Sequence, residues 1–576
     1  MASVPDLLVG PLLRYVDETS ASVWVETRDK ARVTVTREGR SWSAGTFVVH
    51  GHHYALVEVD GLEPGSRAPY TVAVDDHVVW PPEDSRLPEP VIATLVPGKP
   101  LRLAFGSCRT SVSHDEEGNK THGVDALRTY ALRMAGRADA YDADGDRDLL
   151  EPGWPDLVLF LGDQVYADET TEQMRAFISA RRDIEQPPWN ELKDYQEYAH
   201  LYSLAWTEET NRWLLSTLPS AMIFDDHDIR DDWNTSQSWR EEMEATSWWH
   251  GRIVAGLASY WVYQHLGNLS PAERREDEIW RRVLEHEGDD EPDLTEVLDA
   301  FAERVDQEPQ TYRWSYAREF DDQARLVVVD SRAARVLDPD HRALLDPDEL
   351  TWLDEHMRGD VDHLLIGTSL PFMLARGLHH LEAAGEAMAG GAWGRRGARV
   401  GEWARQLVDL EHWAAFQDSF AKVADMAIAV AEGRRGRAPV SVTFLSGDVH
   451  HSYVSEARLS RRTTRSGEVM QSRLIQAVCS PIRNPLSRNM RFATAVLSYG
   501  VAGPLGRLAS KSTKVPTSPI TWKYAKGPWF DNNLAFLELA PGSLRMWWVS
   551  GKVVGGDHDA PRLTKVADYE LGDRTR

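Results

Sequence analysis

Four separated stretches of this chain carry side chains able to bind a metal ion or move a proton. Cys108 stands in FGSCRT, Asp163 and Tyr166 in GDQVYADE, Asp225, Asp226 and His227 in FDDHDIRDDWN, and Asp448, His450 and His451 in SGDVHHS. Thiolate, phenolate and imidazole donors beside carboxylates suit a transition metal, while carboxylates alone suit a harder ion. Two metals sharing one carboxylate form a clamp for attack on a phosphoester. Each stretch also has an ordinary explanation. Free cysteine is a common buried small hydrophobe, and acidic turns are often simply solvated. What the four share is their setting.

That setting is the end of an apolar run. Leu157 to Leu161 is unbroken, stops at Gly162, and is followed at once by Asp163, Gln164, Val165 and Tyr166. Such a run reads as a buried strand of a covered sheet, and the glycine lets the backbone turn as the strand ends. Asp163 and Tyr166 then fall in the crevice beyond the strand's carboxyl end, where open α/β sheets place their ligands. LRLAFGSC (101–108), SAMIFDDHD (220–228), ARLVVVDSR (324–332), HLLIGTSLP (363–371), VSVTFLSGDVHHS (440–452) and RLIQAVCSP (473–481) repeat the plan. Helices are expected over about 236–266, 272–306 and 400–432, with LAFLELAPGSLRMWWVS as a closing hairpin. Repeated strand-loop-helix units predict an α/β fold with a central layered sheet flanked by helices. Parallel strands would deliver the four loops to one edge.

Residues 1 to about 96 read differently. ASVWVETR, ARVTVTRE, HYALVEVDG and PYTVAVDD alternate in hydrophobicity between regular turns, which predicts a small antiparallel β-sandwich. WPPEDSRLPEP (80–90) reads as its exit, so residues 1–96 and 97–576 are expected to form two domains. His50, His52 and His53 flank a turn with no acidic neighbour in sequence, and are expected at surface or packing positions. Asp142, Asp144, Asp146 and Asp148 alternate as in a calcium loop, but Arg147 and Gly153 occupy the positions that need Gly and Glu, leaving an acidic loop. His379 and His380 are expected at ordinary polar positions of a lid stretch, and Cys479 in the core. Neither a G-x-S-x-G elbow nor a Walker A loop is present.

Composition limits the partners. The 576 residues are 42% hydrophobic and 27% charged, as in ordinary globular proteins. A formal charge of -26 argues against nucleic acid and anionic membranes, both of which need a basic footprint. A local metal cluster would override that field for a phosphate substrate. No run approaches the roughly 18 apolar residues of a membrane span. The start MASVPDLLVGPLL lacks a basic n-region and a cleavage pattern, and only two cysteines occur, so a cytoplasmic location is expected.

The set FGSCRT, GDQVYADE, FDDHDIRDDWN and SGDVHHS, in this order, resembles the PhoD-like alkaline phosphatases of the calcineurin-like metallophosphoesterase group. The resemblance covers about 100–560 and implies a four-layer αββα core preceded by the β-sandwich. It implies a phosphatase or phosphodiesterase acting on a small phosphoester through a metal-bound hydroxide, with ferric iron (Fe3+) and calcium (Ca2+) as the ions. By the same resemblance, Cys108 and Tyr166 bind the first ion, Asp163 bridges, and Asp226 binds the second. Asp448 and His450 bind one ion each, and Asp231 is a further candidate ligand. His227 becomes the imidazole that stabilises phosphoryl charge or protonates the leaving oxygen. Arg109 and Gln164 could meet phosphate oxygens, with a structural ion pair as the alternative for Arg109. Enzymes of this family are commonly exported; without a visible export signal an intracellular phosphoester is favoured. A phospholipase-type phosphodiesterase, or a binding protein on a degenerate phosphatase core, are the competing readings.

Overall fold

The computed structural model describes residues 6–136, 153–288, 290–394, 411–460, 469–486, 491 and 502–571. The acidic run 142–148 and segment 395–410 lie outside them. The strand-loop-helix units are divided between two mixed sheets. In the first, Leu101–Gly106 lies parallel to Leu157–Leu161, which lies parallel to Ser220–Ile223. The closing hairpin, Leu534–Ala540 and Ser543–Val554, joins the free side of Leu101–Gly106 antiparallel, and Asp557–Leu571 ends that sheet.

The second sheet runs in the order Tyr316–Phe320, Ala324–Val329, His363–Thr368, Ser441–Ser446, Arg473–Val478, Ser452–Leu459, Ile520–Trp529. Four of its five inner strands, from Ala324–Val329 to Arg473–Val478, are parallel, and Ser452–Leu459 is antiparallel to them. Every residue of Leu157–Leu161, His363–Thr368 and Ser441–Ser446 is buried, which is why those strands read as continuous apolar runs without alternation. Each such Leu, Val or Phe contributes about 1.5–3 kcal/mol of burial free energy. The two sheets meet face to face. A Cβ on Gly367 would stand only 3.2 Å from Leu161 and 3.5 Å from Leu159.

Two smaller antiparallel sheets precede this core. One has the order Leu7–Val16, Ala21–Thr27, His52–Val59, Phe47–Val49; the other has Arg40–Gly45, Arg32–Arg37, Arg67–Val74, His77–Trp80. Buried Arg14 fastens them to the core, donating to the carbonyls of Tyr263 and Gln264 at 2.7 Å each. His50, His52 and His53 take packing positions, with carboxylates that local sequence did not supply. His50 faces Asp299 at 2.9 Å, His52 faces Glu26 at 2.7 Å, and His53 faces Glu291 at 2.8 Å.

The expected helices are real but shorter. The 236–266 stretch forms Gln237–Glu244 and Trp249–Tyr260, the latter running into a wide turn over Trp261–His265. The 272–306 stretch breaks into Pro271–Glu276, Trp280–Leu284 and Thr295–Gln307. The first break falls at Asp277, whose side chain accepts from the amides of Ile279 and Trp280 and restarts the chain. Among the described residues the last stretch forms a single 3-10 turn at Trp413–Ala415 and then Gln417–Ala431. His379 is a correction: it is buried against Phe420 and Trp522, with ring centroids at 4.7 and 4.9 Å. No described helix is long and apolar enough to cross a membrane.

Candidate metal centre

The carboxyl ends of both sheets meet at two glycines. Gly162 has φ +95°, and a Cβ there would lie 2.6 Å from Asp225 Cβ. At Gly447 a Cβ would lie 1.9 Å from Ser107 Oγ. Glycine is therefore required for the loops to close on one another. Beyond them the backbone is strained: Cys108, Asp163, Asp448 and His450 have φ of +57°, +51°, +64° and +50°. Left-handed non-glycine residues cost about 1–3 kcal/mol each and cluster at functional sites. Hydrogen bonds hold them there. The Asp163 amide donates to Asp228 Oδ2 at 2.9 Å, the Asp448 amide to Ser107 Oγ at 3.0 Å, and the His450 amide to Ser480 Oγ at 3.2 Å.

This geometry gathers the donors. Cys108 Sγ lies 3.2 Å from Asp163 Oδ2 and 3.6 Å from the Asp448 carbonyl. Oxygens of Asp163, Asp225, Asp226 and Asp448 all lie within 4.8 Å of one another, and Asp163, Asp226 and His227 form a second such group. Asp163 and Asp226 belong to both. Burial, then Cys108, with Asp225 and Asp226 adding, pushes the Asp163 carboxyl well above the usual carboxylate range against the pull of His227. Burial also raises Asp225, against the pull of Arg332. The Cys108 thiol is pushed up to about 12 by burial and then by Asp448. Burial, Cys108 and Asp163 together raise Tyr166.

Asp163 Oδ1, Tyr166 OH and Asp225 Oδ2 are buried without a hydrogen-bond partner. Buried polar atoms are rarely left so. Multivalent cations would satisfy all three and reverse the repulsion among the acids, so the donor set fits bound metal ions.

The remaining expected residues divide. His227 is held through Nδ1, 3.0 Å from Asp168, with its ring centroid 4.7 Å from that of Tyr166. Burial opposes its charge, but Asp168 and Asp226 outweigh it and raise the imidazole well above its ordinary value. Asp231 lies at the exposed rim, 3.9 Å from His227 Nε2 and outside both groups. His450 Nδ1 donates to the Asn484 carbonyl at 2.7 Å, which fixes its ring, but the ring is not in either group. The Gln164 amide donates to the Gly162 carbonyl at 3.0 Å. For Arg109 the structure forms the ion pair: Nε and Nη2 reach Asp125 at 3.1 and 2.8 Å, and Nη1 reaches the Ala205 carbonyl. Neither Arg109 nor Gln164 bonds to a member of the cluster through its side chain.

Several participants were missed. Arg332, fully buried, pairs with Asp225, with Asp226 at 3.1 Å, and with Glu411. His412 Nε2 stands 3.2 Å from Asp448 Oδ2, and its Nδ1 stands 3.0 Å from Glu382 Oε1. Arg332 ends the apolar run ARLVVVDSR, so strand-end grammar could have found it. Nothing around Glu411 and His412 carries that signal.

A family profile described as PhoD-like phosphatase matches residues 135–489, more than half of the chain. A second, described as a domain of unknown function (DUF7800), matches residues 4–92. None of the curated proteins matches. Among solved structures, one titled "Structure of PhoD" aligns with a TM-score of 0.58 at 13% identity, covering 100% of this chain and 94% of that one. That likeness shows the fold. The type III pullulan hydrolase from Thermococcus kodakarensis aligns at 11% identity over 97% of both chains with a TM-score of only 0.14, which carries no argument. Strand-end motifs, convergent donors and the matched profile agree: the chain belongs to the PhoD-like phosphatase family, a family of phosphoester hydrolases.

Proposed function

We propose that this protein is a metal-dependent hydrolase of a small phosphoester, with a β-sandwich over residues 1–96 and a four-layer αββα core over 97–576 carrying the site. The observation that supports it most is the crowding of Asp163, Asp225, Asp226 and Asp448 within 4.8 Å beside Cys108, an arrangement that repels itself without cations. Asp163 would hold two ions together. Cys108 and Tyr166 would hold the first, Asp226 the second, and Asp448 and His450 one each, with Asp231 at the rim. Ferric iron with calcium is the pairing the family implies, and thiolate plus phenolate on one side with carboxylates on the other agrees with it.

When bound, the two ions would supply Lewis acidity that makes water a nucleophile near neutral pH and neutralises phosphoryl charge. The protein's own residues do the rest. Asp168 fixes the ring and tautomer of His227 through Nδ1, leaving Nε2 to hold a proton for the leaving oxygen or to bond a phosphoryl oxygen. The strained loops preset the donors, so little reorganisation is needed when substrate arrives.

The test is metal analysis of the purified protein, followed by assay of para-nitrophenyl phosphate and its bis ester before and after chelation. Turnover lost on chelation and restored by metal is expected; the ratio of the two esters tells a monoesterase from a phosphodiesterase. A pure protein that holds no metal and cleaves neither ester would refute the reading in favour of a binding protein.

A further inference from the structure

His412 touches the centre from a segment that supplies none of the expected ligands. It stands in the turn before helix Gln417–Ala431, and its partner Glu382 stands on helix Arg376–Ala389. Glu382 Oε1 lies 3.0 Å from His412 Nδ1, and the Glu382 side chain is buried. On the other side Nε2 is buried and lies 3.2 Å from Asp448 Oδ2. The neighbouring Glu411 grips Arg332, which itself holds Asp225 and Asp226. One turn therefore reaches the acidic cluster at two points.

We propose that His412 is a further metal ligand, binding through Nε2 the ion held by Asp448, with Glu382 as the carboxylate that orients it. This rests on the metal-dependent reading above. A histidine that binds a metal through one ring nitrogen almost always donates its other N–H to a carboxylate or carbonyl, which fixes ring and tautomer. Glu382 occupies that place. Two donors about 2.1 Å from one ion at right angles are roughly 3 Å apart, close to the spacing between Nε2 and Asp448.

The test is calorimetric titration of chelator-stripped protein with Mn2+ and, separately, Ca2+, with metal content counted by mass spectrometry. Wild type, His412→Gln and Glu382→Gln are compared, after circular dichroism has established folding. Glutamine sets an amide near the place of Nε2 and can still donate to Asp448, but it is a poor ligand. His412→Gln is expected to lose tenfold or more in affinity for one ion, or to lose that ion outright, while the other remains. Glu382→Gln should weaken the same ion by about ten- to a hundredfold. Unchanged affinity for every ion in His412→Gln overturns the assignment. Should that variant not fold, unchanged affinity in Glu382→Gln overturns it instead. A wild-type protein that takes up no ion refutes the metal-dependent reading itself, a result distinct from either.

Discussion

Cys108 Sγ and Asp163 Oδ2 are 3.2 Å apart, at the ends of two neighbouring parallel strands, and both residues have left-handed backbone. Burial and the thiol raise the proton affinity of Asp163, burial and Asp448 raise that of Cys108, and strained backbone keeps the two together. Asp163→Asn separates the two functions of that residue. Asparagine tolerates left-handed φ, so the backbone should survive while one charge leaves the cluster. In chelator the variant is expected to melt about 1 °C higher than wild type, from about 1 kcal/mol of relieved repulsion. Metal content and turnover should collapse. A variant that keeps both would remove Asp163 from the centre.

Tyr166 supplies a spectroscopic test. Its hydroxyl is buried without a hydrogen-bond partner, so Tyr166→Phe should leave the metal-stripped protein at least as stable, within about 1 kcal/mol. In iron-loaded protein, phenolate ligation would give a visible absorption band that the phenylalanine variant lacks. The same spectrum from both proteins would exclude Tyr166 as a ligand.

His227 and Asp168 should behave as a working group and its support. His227→Asn is expected to lower kcat by about 10²–10⁴ with metal content unchanged. Asp168→Asn, which weakens the grip on Nδ1, should cost less. Loss of metal from His227→Asn would instead make the imidazole a ligand, a geometry its nearness to Asp163 and Asp226 permits.

What could be read from the sequence, and what could not, has a physical basis. Leu157–Leu161 was legible because a strand buried on both faces shows no alternation and stops where its chemistry begins. Cys108, Asp163, Asp226 and Asp448 share that context and converge. The resemblance gives Asp225 no role, yet it lies inside the cluster because Gly162 leaves no room between them. His412 was invisible: it follows no strand, and its partner Glu382 comes from a different helix. His50 and His53 lacked acids nearby in sequence because Asp299 and Glu291 arrive from more than two hundred residues away, and His52 takes Glu26 from the neighbouring strand. Pattern reports what an element buries; it does not report which distant charge faces it.

Away from the centre, Glu349 should give stability a pH dependence. Burial, reinforced by Asp330 and opposed by a bond from Ser315, pushes its carboxyl up to about 8. In the unfolded chain it titrates near 4.5. Between those values the folded state holds a proton that the unfolded state has lost, so stability falls as pH rises through the window and levels off above about 8. The slope is on the order of 1 kcal/mol per pH unit. In Glu349→Gln this component is absent, so melting temperatures from pH 5 to 9 should show the variant gaining on wild type up to about pH 8. Parallel profiles would mean that the carboxyl titrates normally.

Buried Arg332 is in direct contact with Asp225, Asp226 and Glu411 together, and in the metal-free state it supplies countercharge that metals would otherwise provide. Removing it leaves several carboxylates buried and unpaired, a loss of about 3–5 kcal/mol. Arg332→Met should therefore melt a few degrees below wild type in chelator. Calcium can neutralise the same aspartates, so it should recover part of that loss, and the calcium-induced rise in melting temperature should be larger in the variant than in wild type. Equal rises in the two proteins would show that the guanidinium and the ions do not act on the same oxygens, and that the acidic cluster is held together by Arg332 for structure alone.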